Sequence, residues 1–104
     1  MGIIYYAANH ETKEAYELGK GSWHSITEAG DMIRTTPDLL DKIKAELRGP
    51  YWHPDLEGRD EYATEIYLAL KALGDVLTLE SDSSDWYPET EGFKQVGSRY
   101  RERQ

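Results

Sequence analysis

Glu80, Asp82, Asp85, Glu89 and Glu91 fall within one short stretch, interrupted by Trp86-Tyr87-Pro88. Carboxylates at that density are oxygen ligands for Ca²⁺ or Mg²⁺, an anionic patch that draws a basic surface, or simply a solvated charged loop. Ligation needs a turn that converges the oxygens, yet the order D-x-[DN]-x-[DN]-G is not met and no glycine stands among the first three acids. The rings favour the second chemistry, because aromatic anchors bordered by charge are the composition of interface hot spots. No metal and no other cofactor is therefore expected. Asp82, Asp85, Trp86, Tyr87, Glu89 and Glu91 are the expected partner-binding residues, and Tyr51 and Trp52 join them from a second loop, GPYWHPDLEG over residues 49–58. Two Pro and two Gly exclude regular structure there, so its rings either close over the edge of the core or face the partner.

The remaining reactive side chains are dispersed. His10, His24 and His53 sit in turns or loops without the HxH or HxxxH spacing that sets two ligands on one face. Ser22 and Ser25 lie near His24, but not in the strand–turn–helix setting that exposes a nucleophile. Gly19-Lys20-Gly21-Ser22 lacks the GxxxxGK[ST] spacing of a phosphate loop, and reads as a strand-breaking turn. With no Cys, thiolate nucleophiles, thiolate metal sites and disulfides are excluded. Twenty acids guarantee chance pairs, so carboxylate proximity alone says nothing of catalysis. No catalytic residue emerges, and the chain is expected not to be an enzyme.

Charge distribution points the same way. Residues 55–91 carry eleven acids against Arg59 and Lys71, a net −9 within a chain of net −8. Residues 92–104 are basic, through Lys94, Arg99, Arg101 and Arg103 against Glu102. A negative pole repels nucleic-acid phosphates and anionic membranes and steers basic protein surfaces toward itself. Three tail arginines beside such a pole suit internal charge balance better than nucleic-acid binding.

Secondary-structure signals place these residues. Ile3 to Ala8 (IIYYAA), a turn over Asn9 to Thr12, and Glu14 to Leu18 read as a β-hairpin. Trp23 to Ile26 is extended or a short helical turn, and Thr27 caps a weak helix over Glu28 to Ile33, broken by Gly30. Thr36 as N-cap, Pro37 at the first helical position and Gly49-Pro50 beyond the end bound a firm helix, striped by Leu39, Leu40, Ile43 and Leu47. A second helix runs from Asp60 to Leu73, striped by Tyr62, Ile66, Leu70 and Leu73, with Gly74 as its stop. Asp75 to Glu80 alternates as a strand with Leu77 and Leu79 on one face, and Gly92 to Tyr100 is a closing strand bulged at Gly97.

The expected fold class is α+β: a single domain over residues 1–104, a small two-layer sandwich with residues 101–104 frayed. An antiparallel sheet of about four strands, two terminal hairpin-like pairs, is covered by two α-helices. No apolar run suits a signal peptide or a membrane span, and Tyr6 stands where a myristoylation motif wants Ser or Thr, so a soluble cytoplasmic protein is expected.

In size, acidity, lack of cysteine and aromatic content the chain is similar to the broad class of small bacterial or phage inhibitors and immunity proteins. That resemblance implies a non-catalytic protein–protein interaction with a basic partner, such as a nucleic-acid-processing enzyme. Two other readings remain open. One is a small-ligand module or small enzyme with an aromatic pocket near Tyr16, Trp23 and Trp52, completed by Tyr5, Lys20 and His24. The other is an assembly subunit.

Overall fold

Helix and strand patterns in this chain are mostly one-sided, and the elements assemble accordingly. A computed structural model describes residues 3–21, 23–47 and 59–98. The elements are β1 (Tyr5–Asn9), β2 (Glu14–Gly19), a 3-10 turn (Trp23–Ile26), β3 (Met32–Arg34), α1 (Pro37–Leu47), α2 (Arg59–Leu73), β4 (Val76–Ser81), a 3-10 turn (Asp82–Ser84) and β5 (Lys94–Ser98). They form an α+β fold of two layers, a five-stranded mixed sheet ordered β3-β4-β1-β2-β5 with α1 and α2 on one face.

The helix-facing core follows the apolar periodicity. Leu39, Ile43 and Leu47 of α1 and Ala63, Ile66, Leu70 and Leu73 of α2 meet Tyr5, Ala7, Tyr16, Leu18, Ile33, Leu77 and Leu79 of the sheet. α1 begins at its Thr36-Pro37 signal and α2 ends at Leu73 before Gly74, while α2 starts at Arg59, one residue ahead of the expected cap Asp60, and the Gly49-Pro50 signal lies outside the described residues. Thr36 precedes α1, with its carbonyl accepting from Leu39 N–H and its hydroxyl donating to Asp38 at 3.4 Å. Asn9 joins the layers: its Nδ2 donates to the Leu73 carbonyl at 2.8 Å, while its Oδ1 accepts from the Glu11 and Thr12 amides in the β1–β2 turn. One side chain thus satisfies a carbonyl that the end of α2 leaves open and closes the hairpin.

Three expectations are corrected. The segment Glu28 to Ile33 is not helical: Gly30 and Asp31 take positive φ (76° and 60°), the chain reverses, and Met32–Arg34 adds a short fifth strand to β4. A helical turn there loses to a tight reversal because Gly accepts the left-handed conformation freely. The sheet is not wholly antiparallel, and β4 and β5 do not form a terminal hairpin. β4 pairs with β1 and β3, whereas β5 lies parallel to β2 at the far edge. The connection over residues 82–93 reaches the roughly dozen residues that a parallel crossover requires, and it spends them crossing the sheet instead of turning back. The expected bulge is present: Ala15 pairs with Gln95 but Tyr16 pairs with Gly97, leaving Val96 unmatched. A Cβ on Gly97 would stand 3.1 Å from the Tyr16 ring, so glycine lets that ring approach β5 closely.

Candidate functional site

The second face of the sheet is the one without helices, and the acidic loop is built upon it. Adjacent positions there read Thr78, Ala8, Ala15 and Gln95 in one row and Glu80, Tyr6, Glu17 and Ser98 in the next. Ala8 and Ala15 have almost no exposed surface and leave a shallow floor, onto which Phe93 packs with Trp86 beside it. The Trp86 ring lies 5.1 Å from Phe93 and 5.5 Å from Tyr6, centroid to centroid. Edge and tilted pairs at such separations are attractive beyond their burial.

Backbone bonds hold the loop in one shape. Asp82 clamps its start, since its amide donates to the Ile4 carbonyl at 3.1 Å while its Oδ1 accepts from the Ile4 amide at 3.0 Å. Asp85 takes the left-handed conformation (φ 56°), which turns the chain so that Trp86 points back to the sheet. Beyond it the Tyr87 carbonyl accepts from the Glu91 amide at 3.0 Å and from the Thr90 hydroxyl at 3.0 Å, and the Phe93 amide donates to Pro88 at 2.7 Å. Pro88 is buried under this turn.

The expected contact residues therefore divide. Asp85, Tyr87, Glu89 and Glu91 are displayed outward, with Tyr87 45% exposed. Trp86 is half-buried and supports the loop from beneath, and Asp82 is committed to the Ile4 clamp. Tyr51 and Trp52 lie outside the described residues, as do His53, Arg99, Arg101 and Arg103. Among the described residues no ion pair engages Glu17, Asp82, Asp85, Glu89 or Glu91. No three His, Asp or Glu side chains among the described residues converge as a metal site.

A cleft of about 300 Å³ opens beside the turn, lined by Tyr6, Tyr87, Pro88, Glu89, Thr90 and Gln95. Tyr6 is only 7% exposed. Burial, and then the charges of Glu17, Asp82 and Tyr87, raise its hydroxyl pKa above the ordinary value of 10.0, which keeps the phenol neutral. Glu17 is oriented by neutral donors, Gln95 Nε2 at 3.3 Å and Ser98 Oγ at 3.4 Å. Tyr6, Glu17 and Gln95 are absent from the sequence-derived site. Their signal is the run Tyr5-Tyr6-Ala7-Ala8, apolar at consecutive positions, which marks a central strand covered on both faces.

Two histidines, His10 and His24, stand beside hydroxyl and carboxylate groups. His10 Nε2 lies 3.0 Å from Thr78 Oγ1 and 2.9 Å from Glu80 Oε2, and the Thr78 hydroxyl donates to the same carboxylate at 2.8 Å. A relay needs the hydroxyl and the carboxylate on opposite ring nitrogens, so this triangle is a strand staple and not a triad. His24 Nε2 meets the Tyr5 hydroxyl at 3.1 Å, while its Nδ1 stands 4.0 Å from Asp31, beyond hydrogen-bond range. Tyr5 is itself buried in the core. The aromatic pocket around Tyr16, Trp23 and Trp52 receives no ring from Trp23, which has no exposed surface and donates its Nε1–H to the Lys20 carbonyl at 3.2 Å. At the glycine turn, Glu46 of α1 occupies the space where a Cβ on Gly21 would stand. A carboxylate there opposes a bound phosphate.

No helix among the described residues is long and apolar enough to cross a membrane. No protein-family model, curated protein or solved structure matches this chain.

Proposed function

We propose that this protein is a non-catalytic binding protein of inhibitor or immunity type, acting in the cytoplasm, which docks its acidic loop on a basic protein partner. The partner's surface is of the kind that ordinarily holds nucleic acid, as in a nucleic-acid-processing enzyme. One observation carries the reading: Asp85, Tyr87, Glu89 and Glu91 stand outward on a loop held by its own backbone bonds and by the Trp86–Phe93 pair beneath it. A preorganised loop loses little entropy on docking, and an exposed tyrosine among outward carboxylates combines an anchor with long-range steering.

The test is affinity capture on immobilised protein from an extract of the source cells, at low and at high salt. An Asp85→Lys, Glu89→Lys, Glu91→Lys variant is run in parallel; Asp82 is spared because it clamps Ile4. The reading expects a basic protein retained by the wild type at low salt, released at high salt, and not retained by the variant. Retention of no basic protein at low salt, or equal retention by the variant, overturns it.

A further inference from the structure

We propose that the cleft between Tyr6 and the Tyr87–Thr90 turn is a receptor subsite for one arginine side chain of the docking partner. This rests on the binding reading above, and narrows it from a charged surface to a single anchoring contact.

Two donors that line the cleft are already engaged, Gln95 Nε2 on Glu17 at 3.3 Å and the Thr90 hydroxyl on the Tyr87 carbonyl at 3.0 Å. Tyr6 is more than nine-tenths buried, lines the cleft, and takes no hydrogen bond through its hydroxyl among the described residues. A hydroxyl at the wall of a cleft with no bond to a described residue is available to an incoming ligand. Glu17 lies opposite Tyr6 on β2, Asp82 is fixed by the Ile4 amide, and Glu89 forms part of the rim. Glu17 and Asp82 are held by neutral donors, and none of the three carboxylates has an ion pair among the described residues. The group that fits is cationic, rich in donors, and tolerant of aromatic walls.

Arginine answers these requirements better than the alternatives. Its planar guanidinium offers five N–H donors in a fixed fork, stacks on tyrosine faces, and is more weakly hydrated than an ammonium. Tyr87 supplies a wall with buried Pro88 beside it, Glu89 lines the cleft, and Glu17 stands behind it as the strand partner of Tyr6. A compact ammonium reaches fewer of these groups at once. A divalent ion needs several converging carboxylates, and among the described residues no three acid or histidine side chains converge.

The test titrates ¹⁵N-labelled full-length protein with N-acetyl-arginine N-methylamide, its lysine counterpart, and the citrulline counterpart, which keeps the shape of arginine without its charge. The arginine probe is expected to shift the amides of Tyr6, Tyr87, Glu89 and Gln95 with a dissociation constant on the order of millimolar. The lysine probe should bind several-fold more weakly and the citrulline probe not at all. Tyr6→Phe and Glu17→Gln, each checked for an unchanged fold by its amide spectrum, should each weaken the arginine probe by about tenfold or more, the loss of one hydrogen bond to a charged group. Shifts scattered over the acidic surface, equal binding of the lysine or citrulline probe, or indifference to both substitutions overturns the subsite. Failure of the probe alongside successful capture of a basic partner removes the subsite and leaves the docking reading. Probe binding without any captured partner does the reverse.

Discussion

Replacing Trp86 by alanine separates a ring that builds the loop from a ring that merely waits on its surface. Trp86 is half-buried and contacts Phe93 at 5.1 Å and Tyr6 at 5.5 Å, above the bare floor of Ala8 and Ala15. A fully buried Trp→Ala change costs about 3–5 kcal/mol, and half of that burial implies about 2 kcal/mol. Each lost aromatic pair adds about 0.5–1.5 kcal/mol, partly counted already in the burial, which brings the expectation to about 2–3 kcal/mol. For a domain of this size the melting temperature should fall by roughly 10–20 °C. Urea unfolding followed by far-ultraviolet circular dichroism measures the change directly, through the midpoint and slope of the transition. Tyr87→Ala is the internal control, because Tyr87 is 45% exposed and its loss should cost less than about 0.5 kcal/mol. If Trp86→Ala is equally harmless, the ring does not belong to a second small core, and the account of a preorganised loop fails.

Two further perturbations probe the supports of this arrangement. Asn9→Ala removes the donor to the Leu73 carbonyl and the acceptor for two turn amides, and should destabilise by about 1–3 kcal/mol in the same urea assay; a change under about 0.5 kcal/mol refutes the linking role. Tyr6→Phe should be neutral or slightly stabilising at neutral pH, since the hydroxyl it removes has no partner among the described residues. In the wild type, the raised Tyr6 pKa means that the folded state favours the neutral phenol. That contribution is fully present below the unfolded value near 10 and is lost as pH rises through the folded value. Wild-type stability should therefore decline relative to Tyr6→Phe above about pH 10, and parallel stability profiles for the two proteins there would contradict the shift.

The helices were legible because their signals are local and redundant. Thr36-Pro37 opens α1, Gly74 ends α2, and leucine and isoleucine recur at helical spacing between them. Strand pairing was less legible, since it depends on where a loop travels. Nothing local in Lys94–Ser98 distinguishes pairing with β4 from pairing with β2, and the answer lies in Trp86 and Phe93 settling on Ala8 and Ala15 across the sheet. Small residues on a strand look neutral in isolation and become a docking floor only when the partner rings are known. The outward acids Asp85, Glu89 and Glu91 were placed correctly on an exposed loop, because charge at that density cannot be buried unpaired. Tyr6 and Glu17 escaped notice for the converse reason. They belong to strands far from the acidic stretch in sequence, and only the sheet register brings them under it.

The association rate with a captured partner, measured by stopped flow across ionic strength, tests the steering claim most directly. Wild-type association should slow by at least about tenfold between about 50 and 500 mM salt, as screening shortens the reach of the acidic pole. The Asp85→Lys, Glu89→Lys, Glu91→Lys protein should begin near the slow, high-salt rate and change little. Equal rates for the two proteins, insensitive to salt, would contradict the account.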